Sequence, residues 1–154
     1  MTTGSPGGRA LADLELRFAR EPESDAYFPL AEAYLAEGRV MEAKVVCKSG
    51  LKHHQHAPEP HVLMGRILLA EKKYARALKA LDAALAIDPA HADALAARGR
   101  IHLDEGRQAE GVADLRRASQ IDPSGPAQAL LQARGLAPVS PVPRGEAPPA
   151  SGRA

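Results

Sequence analysis

The side chains able to do chemistry in this chain are few and far apart. Cys47 is its single thiol, and so its one candidate for a strong nucleophile. Unable to close an internal disulfide, it fits a reducing compartment. His53, His54 and His56, with His61 nearby, offer neutral imidazoles of the kind that hold transition metals. They straddle a turn with no Cys or Asp among them, so solvated loop histidines are the simpler reading. Neither a bound metal nor a cofactor is expected. The glycine-rich phosphate loop ending in Lys-Ser/Thr is missing, as are GxGxxG, HExxH and GxSxG. No enzyme is expected from this set. Pro138-Val-Ser-Pro141, followed by Arg144, matches a bare PxxP pattern that any proline-rich stretch produces, so a linker is expected there.

What the chain has in quantity is helix-forming material. Its 154 residues suit one domain with a real core. Ala and Leu supply 49 of them, against 13 for Ile, Val and Thr together, which nearly excludes an all-β fold. Lys and Arg number 20 against 19 Asp and Glu, for a net charge of +1, so a broad basic field for nucleic acid is excluded. Arg66, Glu71 and Arg98 cut the apolar stretches well short of the roughly 18 residues a membrane span needs. Residues 1–8 hold no apolar leader and are expected to be flexible. A cytoplasmic protein without membrane contact is the expectation. Residues 137–154 carry five prolines and almost no bulky apolar groups, so a disordered tail is expected.

An internal repeat organises the middle of the chain. Ala83-Ala-Leu-Ala-Ile87-Asp88-Pro89 recurs as Arg117-Ala-Ser-Gln-Ile121-Asp122-Pro123, at an offset of 34. The same offset aligns Gly65 with Gly99, Leu69 with Leu103, Leu81 with Leu115 and Ala84 with Ala118. One step back it takes in Ala31, Leu35, Cys47 and Gly50. Three units follow, over residues 24–57, 58–91 and 92–125. Each reads as two helices. In the second unit Val62, Leu63, Ile67, Leu68 and Leu69 form one helical run, and Ala77, Leu78, Leu81, Ala84 and Leu85 keep the spacing of a buried stripe. The turns within units hold Gly38, Glu71-Lys-Lys73 and Gly106, and Pro89 and Pro123 stop the second helices. Three registers stay small throughout, as close helix crossings require: Ala31/Gly65/Gly99, Ala43/Ala77/Gly111 and Gly50/Ala84/Ala118. Cys47 shares its register with Leu81 and Leu115, so a small buried hydrophobe is expected there rather than a nucleophile. Residues 9–23, with Leu11, Leu14 and Phe18 on one face, predict a helix packed on the first unit. Residues 126–136 predict a short closing helix, with Pro126 in its first turn and Gly135 at its end.

The motif Tyr27-x-x-Leu30-Ala31-x-x-Tyr34, then Ala43-x-x-x-Cys47, has counterparts in His61-x-x-Met64-Gly65-x-x-Leu68 and Leu95-x-x-Arg98-Gly99-x-x-His102. Over residues 24–125 this pattern resembles the tetratricopeptide repeat. The resemblance implies an all-α, right-handed solenoid of three tandem helix–turn–helix repeats with a flanking helix at each end. Stacked units of this kind share a continuous core that no single pair could bury. Gln55 departs from the pattern where a helix-ending proline belongs, as do Arg98 and Gly111 in the third unit. Arg98 and His102 would need acidic partners if buried, so a partly wet and fraying third unit is expected.

In that family the first helix of each unit lines a concave groove and binds protein segments. The matching positions here form ladders that step by one repeat: Phe28/Val62/Ala96, Glu32/Arg66/Arg100 and Leu35/Leu69/Leu103. The expected peptide-binding groove is therefore Phe28, Glu32, Leu35, Val62, Arg66, Leu69, Arg100 and Leu103. It is negative toward the first unit and positive toward the third, and suits a protein or peptide segment. A further ladder, Asp25/Glu59/Asp93, is accounted for by helix N-termini, where carboxylates complement the macrodipole. Co-chaperones of the family clamp a terminal carboxylate with Lys, Asn and Arg. The matching positions are Phe28, Glu32, Leu63, Asp93 and Ala97, so a carboxylate-clamp ligand is not expected. A scaffold binding a partner segment is the leading expectation. A self-associating module of a larger complex, a homo-oligomer included, is the alternative.

Overall fold

Residues 6–136 are described by a computed structural model, and every element among them is a helix. In chain order these are α1 (Pro6–Arg20), α2 (Tyr27–Ala36), α3 (Val40–His53), α4 (Pro58–Ala70), α5 (Tyr74–Ile87), α6 (Ala92–Asp104), α7 (Gln108–Ile121) and α8 (Pro126–Ala133). The starts of α3, α5 and α7 are spaced by one repeat length, and so are those of α4, α6 and α8. Helix α1 begins at Pro6, so residues 6–8, expected in the flexible N-terminus, are helical. The proline-rich tail and its PxxP pattern lie outside the described residues, as do residues 1–5.

The turns keep the period. Each pair reverses through one left-handed residue, Gly38 (φ +74°), Lys72 (φ +58°) or Gly106 (φ +82°). The amide after it returns to the last helical turn: Arg39 to the Tyr34 carbonyl (2.8 Å), Lys73 to Leu68 (2.8 Å), Arg107 to His102 (2.7 Å). A helix ending this way satisfies its orphan carbonyls, and glycine enters the left-handed region at no steric cost. Lysine does so at a cost of roughly 1–2 kcal/mol. Lys72 tolerates it because helices packed on both sides dictate the reversal. Between pairs, Asp88 and Asp122 end α5 and α7 ahead of Pro89 and Pro123, and their carboxylates accept from the Ala90 and Ser124 amides at 3.1 Å. Helix α3 stops at the same register without a proline. There the His54 ring stacks on Tyr27, centroids 5.1 Å apart, and closes the turn instead.

Packing follows the order of the chain. The pairs α2·α3, α4·α5 and α6·α7 pack most extensively, each outer helix also packs on the next inner one, and the inner helices α2, α4, α6 and α8 touch in succession. The outer helices α3, α5 and α7 do not touch one another, nor does the first pair touch the third. An inner layer in contact beneath an outer layer that splays is a curved solenoid, not a closed bundle. Its core is continuous along the array, from Leu30, Cys47 and Leu63 through Ile67, Leu81 and Ile101 to Leu95, Leu115 and Leu131, each at most 1% exposed. Helix α1 lays Leu11, Leu14 and Phe18 against the first of these clusters, and Glu15 accepts a 2.7 Å bond from the Tyr34 hydroxyl.

The third unit is better closed than its sequence led us to expect. Arg98 donates to both oxygens of Asp114, from Nε at 2.7 Å and Nη2 at 2.9 Å, and from Nη1 to Asp82 at 3.0 Å. The Asp114 carboxylate also lies 3.9 Å from His102 Nε2. The Arg98 side chain is only 27% exposed and that of Asp114 13%, so the layer is a paired polar layer rather than a wet one. Gly111 has its own reason. A Cβ there would meet the Gly99 carbonyl oxygen at 2.8 Å, and one on Gly99 would meet the Gly111 oxygen at 2.9 Å. Backbone crosses backbone at this point, and a methyl group on either helix would push them apart.

Candidate interaction groove

The inner helices place part of the expected ladder set on one open surface. Leu35, Leu69, Ala70 and Tyr74 floor a depression of about 630 Å³ that carries Arg66, Lys72, Arg100 and Asp104 on its walls. Past Arg66, Leu69 and Arg100 it continues into a second depression of about 380 Å³, bounded by Glu32, Asp93, Pro126 and Leu130. Glu32, Leu35, Arg66, Leu69 and Arg100 are therefore brought together. Three expected members are not. Val62 is 2% exposed and belongs to the second core cluster, because α6 covers that flank of α4. Phe28 is half-buried edge-on to Tyr27 and borders a separate depression with Asp25, His54 and Glu59. Leu103 packs over Gly111 and into the third cluster. The ladders also run one rung further than expected. Another repeat step from Ala96 and Arg100 reaches Leu130 and Arg134 at the end of the array, which a reading of α8 as a mere cap passes over.

The electrostatics are set by ion pairs across and within the inner helices. Arg66 Nη1 donates to Glu32 Oε1 at 2.5 Å, with both side chains about 40% exposed, so the two charges largely spend each other. Arg100 lies 4.0 Å from Asp104, and Arg134 donates to the same carboxylate. Lys72 adds a cation with no ion pair among the described residues. Arg66, Lys72, Arg100 and Arg134 thus face Glu32, Asp93 and Asp104, four cations against three carboxylates, with the small positive excess at the α4–α6–α8 end. An apolar floor under a cationic rim can seat an apolar side chain and hold a carboxylate beside it.

The reactive residues take structural places. Cys47 is 0% exposed, its thiol donates to the Pro60 carbonyl at 3.3 Å, and burial pushes its pKa up to about 12. We therefore expect the native chain to leave a thiol reagent such as DTNB unreacted at pH 8, and to consume one equivalent once unfolded in guanidinium chloride. Fast labelling of the native chain would contradict this packing. Tyr27 shifts the same way, to about 12, through burial and then the charges of Glu59 and Asp25. Both groups ionise more readily in the unfolded chain, so their contribution to stability is intact below about pH 9 and is lost as pH rises toward 12. The histidines disperse: His53 and His56 are exposed, His54 lies on Tyr27, and the His61 Nε2–H donates to the Gln55 carbonyl at 3.1 Å. Among the described residues no three His, Cys, Asp or Glu side chains converge as a metal site. No helix among them is long and apolar enough to cross a membrane.

Residues 62–126 match the tetratricopeptide repeat family. No protein of curated function matches the chain in sequence. Among solved structures it is similar to a thermophilic tetratricopeptide protein of Thermus thermophilus, at 23% identity and a TM-score of 0.70, over 83% of this chain and 70% of that one. It is similar to MamA at 16% identity and a TM-score of 0.63, over 88% of each chain. A third structure, the first such domain of Spaghetti (RPAP3) bound to the HSP90 peptide SRMEEVD, is 19% identical with a TM-score of 0.62, over 71% of this chain and 86% of that one. At these identities the likeness is one of fold.

Proposed function

We propose, from the premise that this chain is a solenoid carrying tetratricopeptide repeats, that it is a non-catalytic interaction scaffold. Its concave surface takes a short segment of a partner protein in which an apolar side chain is flanked by carboxylates. The observation that carries this reading is the continuous surface over Leu35, Leu69 and Leu130 lined by Arg66, Lys72 and Arg100, with Arg134 joined to it through Asp104. Apolar area at the floor supplies affinity, and the cationic rim supplies orientation and rate. The HSP90 peptide of the Spaghetti structure is not carried over to this chain. Leu63 and Ala97 are buried, Glu32 is bridged to Arg66, and Asp93 is acidic, so the positions that match that family's carboxylate clamp offer no donor.

Panning a displayed random-peptide library on the intact chain tests the proposal. The enriched peptides should pair an aromatic or aliphatic residue with two or more Asp or Glu. Arg100→Glu should weaken such a peptide roughly tenfold at low salt and by less in high salt, with the melting temperature nearly unchanged. Arg66→Glu is the poorer probe, because it turns a 2.5 Å bond to Glu32 into a repulsion, whereas Arg100 stands 4.0 Å from an Asp104 that Arg134 still holds. Enriched peptides without acidic residues, or an affinity indifferent to Arg100→Glu, would place the binding surface elsewhere.

A further inference from the structure

The repeat itself shows what the left-handed position of each turn asks for. The first and third units place glycine there, Gly38 and Gly106, whereas the second places Lys72, at φ +58°. Lysine enters that region at a steric cost that glycine escapes. Nothing in the turn offsets it. The Lys72 side chain is exposed, and its amide makes the same bond to Leu69 (2.9 Å) that Gly38 makes to Leu35 (3.0 Å) and Gly106 to Leu103 (3.1 Å). The end of α4 does not need the charge either. Arg39, Lys73 and Arg107 supply a cation at the next register in every unit, paired with Glu42 (3.1 Å), Glu71 (3.3 Å) and Glu105 (2.6 Å). Neither the reversal nor the helix end accounts for a lysine at residue 72.

Its surroundings do. Lys72 lines the 630 Å³ depression floored by Leu35, Leu69 and Tyr74, and Arg66 and Arg100 line it too. Of these three cations, Lys72 is the one with no ion pair among the described residues. Arg66 is bonded to Glu32 at 2.5 Å, and Arg100 stands 4.0 Å from Asp104. A carboxylate entering the depression competes with those acids at either arginine, while at Lys72 no internal pair has to break. One uncommitted ammonium, a compact point charge, matches a single negative charge rather than a doubly charged phosphate. Lys72 lines this depression and not the second one, so a segment lying along the groove meets it at one end only. Strain kept at a residue that faces a binding surface is strain that function can explain and stability cannot.

We propose that Lys72 is the carboxylate-reading residue of the groove: it takes an Asp or Glu side chain of the partner segment, and the α4–α5 turn gives up stability to present it. This rests on the concave surface being the binding surface, and adds which of its cations selects the acidic residue. The carboxylate is a side chain rather than a chain terminus, because the depression opens past Arg66, Leu69 and Arg100 into the second one and the segment runs on through.

Fluorescence anisotropy at low salt tests it, with the intact chain and, as probe, the tightest acidic peptide recovered by library panning. Lys72→Gly should weaken binding about fivefold. The same substitution should raise the melting temperature by about 2–4 °C, since glycine takes the turn without strain. Lys72→Gln, which keeps the strained backbone and removes the charge, should weaken binding equally and leave melting unchanged. Lys72→Arg should keep affinity within about twofold. Replacing the peptide's acids one at a time by their amides should find one that costs the parent about fivefold and costs Lys72→Gly nothing further. Amidating the peptide's C-terminus should change neither affinity. A lysine that served the turn alone would not move affinity and stability in opposite directions. Parental affinity in Lys72→Gly or Lys72→Gln, where Arg100→Glu still weakens binding, would overturn the role of Lys72 and leave the groove standing. Indifference to all three substitutions, or panning that recovers no acidic peptide, would overturn both together. A melting temperature that falls in Lys72→Gly would remove the strain, and a loss on amidation would make the terminus the ligand; either result overturns the proposal as stated.

Discussion

Leu81→Ala is expected to lower the stability of the folded chain by about 2–5 kcal/mol, the cost of a buried cavity in a core that cannot collapse into it. Leu81 is 0% exposed and sits between α5 and the glycine surface of α4, where a Cβ on Gly65 would lie 2.6 Å from the leucine side chain. Nothing larger than glycine approaches from that side, so no neighbouring side chain is available to swing into the vacated space. The site also belongs to the middle pair. In a one-dimensional array each unit is stabilised through its two interfaces, so a cavity there weakens the coupling on both flanks. Leu115→Ala should fall in the same range. The residue is equally buried, lies on Gly99 as Leu81 lies on Gly65, and is followed by α8 rather than by water. Urea denaturation followed by circular dichroism reads both values. A loss below about 1 kcal/mol at either site would mean that its outer helix is not packed as described.

These two leucines were legible in the sequence because the repeat states its register three times over. The small residues at close crossings, the two helices per unit, the flanking helices and the burial of Cys47 follow from the same arithmetic. What the ladders did not resolve is which edge of an inner helix remains open. Val62 and Leu69 are both apolar and two turns apart on α4, yet one is core and the other groove, because the neighbouring inner helix covers only one flank. That is a fact about spacing between helices, and a single helical period carries no information on it. Leu130 and Arg134, by contrast, were within reach, since the ladders continue to the end of the array at an unchanged step. The Arg66–Glu32 bridge follows from opposite charges one repeat apart on a single ladder. Lys72 in a left-handed turn, against its own preference, was hidden by chemistry: nothing about a lysine announces a reversal that its neighbours impose.

The polar layer of the third unit was the least legible part, and it gives the second large prediction. On its own ladder, with Leu30 and Met64, Arg98 is out of place. The informative comparison is between the two registers of one layer, one on each helix of a pair: Leu30 with Val46, Met64 with Ala80, Arg98 with Asp114. Two apolar pairs have become an ion pair. The Asp114 carboxylate, 13% exposed, is satisfied only by groups of this layer, and the guanidinium beside it is held more firmly charged than an ordinary arginine. Removing one partner leaves a mostly buried charge short of its bidentate acceptor, whereas removing both leaves an apolar layer that the second unit already demonstrates. Asp114→Ala alone should therefore destabilise the chain by about 1–3 kcal/mol, less than the loss from a fully buried pair because Asp82 still holds Nη1. Adding Arg98→Met, which copies the Met64 and Ala80 of the second unit, should recover most of that loss or exceed it. A double-mutant cycle in urea measures the coupling, expected to be above about 1 kcal/mol. If Arg98→Met/Asp114→Ala proves less stable than Asp114→Ala alone, the methionine does not fit, and the layer depends on its ion pair rather than merely tolerating it.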